Sequence, residues 1–218
     1  MLVKICGLKE SGNLESVSKF SPDFIGLIFY DKSPRFVNGA LLEKQVRTLP
    51  GKILPTGVFV NESVNNILSF VKRYGLKAVQ LHGAESADFC RELGDHLDPD
   101  FLILKAFGLY EGFDFSILFP YQHLVNYFLF DTQSPVHGGT GKKFDWTLLE
   151  GYTLDNPYFL SGGIGLEEIS ALKEEIKEKS YFKHLAGLDL NSRLEDSPGM
   201  KNLNKVRMAI EEVKNLIN

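Results

Sequence analysis

Disulfide chemistry is the first thing this chain lacks. Its 218 residues include two cysteines, Cys6 and Cys90, too few for a disulfide framework. A reduced, cytoplasmic setting is the expectation. No apolar run approaches the roughly 18 residues that a bilayer-spanning helix needs, so no membrane partner is expected. No secretory leader pattern is read either, since Lys4 interrupts the first apolar stretch. Strong charge of one sign is missing too. The formal net charge is −4, which gives no electrostatic reason to expect a nucleic-acid partner. An anionic ligand would have to be held by local donors. Repeats, low-complexity tracts and linkers are also absent, so residues 1–218 are expected to form one domain. The 44% hydrophobic content is ample for a large core.

What the chain does contain is a regular alternation. Apolar runs end the first strand at Cys6-Gly7 and recur at 24–30, 53–60, 78–82, 101–107, 127–131, 158–161 and 185–190. Segments with helical signals lie between them, at about 11–19, 40–48, 64–74, 86–93, 113–119, 146 onward, 166–179 and 202–217. Ser11, the stretch Asn61-Glu62-Ser63 and Asp145 supply candidate helix caps. Roughly eight strand–helix units in so short a chain predict an α/β protein folded as a (β/α)8 barrel, with ligand chemistry on the loops that follow the strands. An open doubly wound sheet is the alternative. Cys6-Gly7-Leu8-Lys9 is no dinucleotide-binding glycine fingerprint, which disfavours it.

Side chains along a strand alternate between faces. If the apolar member of each pair meets the helix layer, then Lys4, Cys6, Gln80, His82, Asp131 and Asp189 all face the barrel interior. Such groups are costly to bury unless paired or solvated, and their convergence points to a site. Barrel closure would set Asp189 beside Lys4 as an ion pair. The Lys4 charge would then favour the thiolate of Cys6. Blander readings exist for each group. Buried cysteines often serve as small hydrophobes, as Cys90 is expected to do. Asp131 could cap a turn, His82 could be a satisfied core histidine, and His137 could be a solvated bystander.

Glycine-rich loops follow strands six and seven, at Gly138-Gly139-Thr140-Gly141 and Ser161-Gly162-Gly163-Ile164-Gly165. Glycines let backbone N–H groups converge on an anion, and this end of such barrels is the usual phosphate seat. Asn191-Ser192-Arg193, after strand eight, can add donors. A phosphate ester with its far end near Cys6 and Asp131 is the expected ligand.

At this point the chain resembles the phosphoribosylanthranilate isomerase family. The resemblance rests on Lys4-Ile5-Cys6-Gly7, Ser33-Pro34-Arg35, Gly57-Val58-Phe59-Val60-Asn61, Val79-Gln80-Leu81-His82-Gly83 and Phe130-Asp131-Thr132. It continues through the loop at 138–141, Phe144-Asp145-Trp146, Ser161-Gly162-Gly163, Gly187-Leu188-Asp189-Leu190-Asn191-Ser192, Glu195 and Pro198-Gly199. It implies an Amadori rearrangement of N-(5-phosphoribosyl)anthranilate to 1-(2-carboxyphenylamino)-1-deoxyribulose 5-phosphate, in tryptophan biosynthesis. Asp131 would be the general acid and Cys6 the general base. Arg35 would meet the anthranilate carboxylate, with Lys4, Gln80, His82 and Asp189 also lining the substrate site. Gly139, Gly141, Gly162, Gly163, Asn191 and Ser192 would hold the phosphate. No metal or organic cofactor is implied, and the chain would act as a monomer or a homodimer.

Three positions depart from the family's usual pattern. Ser161 stands where alanine is commoner, Arg193 where glycine is usual, and Asn202 where aspartate is commoner. Competing functions are a histidine-pathway sugar-phosphate isomerase, a covalent Cys6 nucleophile with His82 as its base, and a silent phosphosugar-binding barrel. The histidine-pathway family has a carboxylate where Cys6 stands, which argues against the first.

Overall fold

The structure is a computed structural model that describes residues 1–38, 43–132 and 145–216. Its apolar runs pair in chain order as eight parallel strands: β1 (Leu2–Cys6), β2 (Phe24–Ile28), β3 (Leu54–Phe59), β4 (Ala78–Leu81), β5 (Leu102–Leu109), β6 (Tyr127–Thr132), β7 (Tyr158–Ser161) and β8 (Leu185–Leu190). β8 pairs with β1 and closes the barrel, with Lys4 opposite Asp189 in register. Around it run α1 (Ser11–Ser18), α2 (Glu43–Arg47), α3 (Val64–Tyr74), α4 (Ala87–Asp95), α5 (Leu166–Glu178) and α6 (Leu203–Lys214). A short antiparallel hairpin, β9 (Glu195–Ser197) with β10 (Met200–Lys201), follows β8.

Local chemistry sets the boundaries. Ser63 and Asn202 accept the N–H groups of Asn66 and Lys205 and so start α3 and α6. The asparagine at 202 therefore still serves as a cap. Ser11 does not cap; it is the first residue of α1, and Glu10 holds the cap position without a side-chain bond. Two connections expected to be helical are tighter 3-10 turns. Phe115–Tyr121 contains Pro120, whose missing N–H and fixed φ suit a short turn better than an α-helix. Trp146–Gly151 begins with Asp145 accepting from Thr147 N.

The interior is layered. Most buried apolar side chains, including Val3, Ile5, Val79, Leu81, Cys90, Phe128, Phe130, Leu188 and Leu190, lie in one cluster outside the sheet, against the helices. A second, smaller cluster fills the barrel with Phe24, Ala78, Leu104, Ala106, Leu129 and Phe159. Phe24 and Phe159 meet edge to face at 5.5 Å. Gly187 makes room for that plug, since a Cβ there would sit 2.5 Å from the Phe159 ring. Toward the C-terminal ends of the strands the filling turns polar, with Lys4, Gln80, Ser161 and Asp189 all buried.

Candidate active site

β1 brings Lys4 and Cys6 to the inner face. Lys4 Nζ lies 2.9 Å from Asp189 Oδ1, and both side chains are buried. Burial alone would pull the ammonium down. The Asp189 carboxylate, helped by Cys6, outweighs it, and the pKa of Lys4 ends above its usual value. Asp189 also accepts a bond from Ser161 Oγ at 3.4 Å.

The expected thiolate at Cys6 is corrected here. Lys4 does pull the thiol down, but burial pushes it up more strongly, as does Asp189, and the net shift is upward. The Lys4 charge is already compensated by Asp189, so the resting group is a thiol. Gly26 of β2 makes space for it: a Cβ there would lie 2.6 Å from Cys6 Sγ and 3.1 Å from Lys4 Nζ.

Gly7, at φ +81°, turns the chain at the end of β1. A side chain there would meet Arg35 and Asn191. Arg35 does not stand free. Its Nε and Nη2 grip Glu195 in bidentate fashion at 2.7–3.0 Å. Glu195 also takes Lys201 Nζ at 2.8 Å and Gly199 N at 3.1 Å. Burial pushes the Glu195 carboxyl up, but Arg35 and Lys201 outweigh it and hold the group below its usual range. Lys201 also donates to Asn191 Oδ1 at 2.8 Å, tying the end of β8 to the hairpin.

Asp131 ends β6 on the inner face. His82 Nε2 is 3.3 Å from its Oδ2, and both side chains are about one-third exposed or less, at 32% and 28%. Two clefts meet at Asp131. One, of about 290 Å³, is lined by His82, Glu85, Lys105, Phe107 and Tyr121 among others. The other, of about 170 Å³, is lined by Ser161, Gly162, Gly163, Asp189, Asn191 and Ser192. Gly162 and Gly163 have φ of +91° and +65°, a backbone that side-chain-bearing residues rarely adopt. Gly165 then opens α5, with its N–H donating to Glu168 at 2.8 Å. Gly139 and Gly141, like the whole of 138–141 and His137, lie outside the described residues.

Some contributors escape a reading by alternation alone. Lys105 faces the helix layer, yet its ammonium curls up to the Gly83 carbonyl at 2.8 Å and to Glu85 at 3.3 Å. Glu85 in turn accepts Gly83 N at 2.9 Å and Asn61 N at 2.8 Å. This buried knot fixes the loop that carries His82. Its signal in the sequence was one lysine inside an otherwise apolar strand. Glu195 and Lys201 gave a weaker signal, being two charges in a loop whose fold brings them inward. Among the described residues, no group of three or more His, Cys, Asp or Glu side chains is placed to hold a metal. No helix among them is long and apolar enough to cross a membrane.

Comparison with known proteins identifies the family. Residues 3–212 match the family described as N-(5'-phosphoribosyl)anthranilate (PRA) isomerase. The chain is 36% identical to N-(5'-phosphoribosyl)anthranilate isomerase of Parabacteroides distasonis, with 98% of this chain and 93% of that protein covered. It superposes with a TM-score of 0.81 and 28% identity on a phosphoribosyl anthranilate isomerase in complex with reduced 1-(o-carboxyphenylamino)-1-deoxyribulose 5-phosphate, covering 98% of each chain. Monomers generated from the dimeric enzyme of Thermotoga maritima match with a TM-score of 0.78 and 27% identity, over 99% of this chain and all of that one.

Proposed function

The chain belongs to the N-(5'-phosphoribosyl)anthranilate isomerase family, and from that premise we propose an acid–base mechanism carried by Asp131 and Cys6. The reaction is the Amadori rearrangement of N-(5-phosphoribosyl)anthranilate to the corresponding 1-amino-1-deoxyribulose 5-phosphate, a step of tryptophan biosynthesis. Asp131 protonates the furanose ring oxygen. The C1–O bond breaks with its electron pair left on that oxygen, and the anthranilate nitrogen forms a C1=N bond. Cys6 gives its resting thiol proton to solvent, the thiolate so formed removes the C2 proton, and the resulting enolamine relaxes to the ketone. Each proton transfer supplies about 10²–10⁴ in rate.

The observation that carries this reading is the position of Asp131 between two clefts, one of them rimmed by Gly162, Gly163, Asn191 and Ser192. Those residues suit a phosphate, and the family resemblance adds Gly139 and Gly141, which lie outside the described residues. Asp189 and Lys4 support the thiol from below rather than from solvent, both being buried. Arg35 binds the anthranilate carboxylate. Glu195 occupies its Nε–Nη2 edge, while Nη1 has no hydrogen-bond partner among the described residues. A guanidinium has a second bidentate edge, and that edge is the one offered.

The test generates the unstable substrate in situ and follows loss of its anthranilate fluorescence. Cys6→Ser and Asp131→Asn should each lose at least about a hundredfold in kcat while still binding a reduced product analogue. Near-normal turnover in either variant removes that residue from its role.

A further inference from the structure

Gln80, His82 and Asp131 form a continuous line of contacts. Gln80 Nε2 is 2.6 Å from His82 Nδ1, and His82 Nε2 is 3.3 Å from Asp131 Oδ2. Gln80 is buried on the floor of the site, and its Oε1 has no hydrogen-bond partner among the described residues. With the amide nitrogen toward the ring, Nδ1 accepts, the single ring proton sits on Nε2, and Asp131 accepts it as a carboxylate. In that state the pair has no proton to give.

The two ends of an amide fill nearly the same space and differ in hydrogen-bond sense. A half-turn of Gln80 sets its unpartnered oxygen against Nδ1 and gives that oxygen a donor. The ring then carries a proton on both nitrogens. Shifting the Nε2 proton to Oδ2 leaves a neutral ring beside a carboxylic acid, with the same number of protons. Glutamine supports both ring states because it donates and accepts; a carboxylate at position 80 would only accept.

We propose that His82 stores the proton that Asp131 delivers, and that Gln80 lets the imidazole take either state. The proposal rests on Asp131 being the acid. In ring opening a proton passes from His82 Nε2 to Asp131 Oδ2 and on to the furanose oxygen, which receives the electron pair of the breaking C1–O bond. A neutral imidazole and an ionised Asp131 remain. Water reloads the ring, whose side chain is 32% exposed to the larger cleft. His82 and Gln80 are positioning residues here, since both act through Asp131.

The other charged groups around the pair are compensated. From β1 and β8, Lys4 and Asp189 satisfy each other at 2.9 Å, and Cys6 is a neutral thiol at rest. From β5 and the loop after β4, Lys105 and Glu85 pair at 3.3 Å. Tyr121 donates to the Glu85 carbonyl at 3.0 Å. No unbalanced charge among these fixes the proton on one member of the pair.

Two measurements test this. The first is the pH profile of kcat/KM for His82→Gln, which keeps a polar side chain and removes the titrating ring. With the ring gone the variant has no stored proton to deliver, so the alkaline limb should move down by about one pH unit or more. The deficit of the variant should then deepen about tenfold between about pH 5.5 and pH 7.5. A constant deficit across that range overturns the proposal. The second needs no turnover and no folded His82 variant: nitrogen NMR of the His82 ring in ligand-free wild type and Asp131→Asn. The share of rings protonated on both nitrogens should fall at least about threefold in the variant at pH 6.5, and equal shares overturn the proposal. A wild type that fails to turn over the phosphoribosyl substrate would instead remove the assigned reaction, while the NMR result would still decide the His82–Asp131 coupling.

Discussion

Lys4 and Asp189 meet across the seam that closes the barrel, one on its first strand and the other on its last, with Nζ 2.9 Å from Oδ1. The pair gives the seam a polar lock one layer below the reacting thiol. It also explains why Cys6 is not a ready thiolate. An ammonium that already faces a carboxylate exerts a reduced net field on a third group, and burial then decides the direction of the thiol.

Lys4→Met should therefore push the Cys6 thiol further up. It removes the group that lowers it and leaves burial and an unpaired Asp189, both of which raise it. The thiolate fraction near neutrality should fall by about tenfold or more. Turnover should drop by at least that factor and recover partly as pH rises. Ultraviolet thiolate absorbance against pH, compared with a Cys6→Ser blank, checks the titration directly. An unchanged thiol transition in Lys4→Met would show that Lys4 serves Asp189 alone. Doubling the change with Asp189→Asn should restore stability better than activity, because it removes the orphaned buried carboxylate.

Gly26→Ala probes the thiol by sterics alone. The added Cβ would stand 2.6 Å from Cys6 Sγ and 3.1 Å from the Cys6 Cα. Neither strand can yield without disturbing the ladder that pairs Cys6 with Gly26. A cost of about 1–3 kcal/mol in unfolding free energy is expected, together with a loss of kcat that exceeds any change in KM. Urea unfolding and steady-state rates measure both. Wild-type kcat in a stably folded Gly26→Ala protein would mean that the thiol position is not critical.

The inward convergence of Lys4, Cys6, Gln80, His82, Asp131 and Asp189 was legible because strand alternation is covalent geometry, and the fold changes only which face is inner. The barrel itself was legible from the count of strand–helix units. The sign of the Cys6 shift was not, because it is the difference between burial and two opposed charges, and that balance depends on distances. The grip of Glu195 on Arg35 was hidden for another reason. These residues are 160 apart in the chain, and a two-stranded hairpin with no strong pattern brings them together. The part played by Lys105 was not legible from strand parity, since the residue points to the helix layer and reaches the Gly83 carbonyl and Glu85 only through its flexible stem.

Glu195→Gln tests that hairpin knot and carries a pH signature. The carboxylate is 4% exposed and shared by Arg35 and Lys201, whose own side chain is 0% exposed. Removing its charge leaves two cations facing a neutral amide, one of them fully buried. Breaking a buried pair in this way costs about 3–5 kcal/mol, and the amide oxygen that remains should keep the loss toward about 3 kcal/mol. The sign with pH follows from the direction of the shift. The folded carboxyl titrates below its unfolded value of about 4.3, so its contribution is present above that value. It is lost as pH falls through the folded value. The wild type should lose part of its advantage over Glu195→Gln on acidification, and the two stability curves should converge below about pH 4. Urea unfolding at stepped pH values measures the convergence. Parallel curves would mean that Glu195 is no better held in the fold than in the unfolded chain. In the same variant KM should rise more than kcat falls, because Arg35 loses the partner that aims its free edge while Cys6 and Asp131 keep theirs.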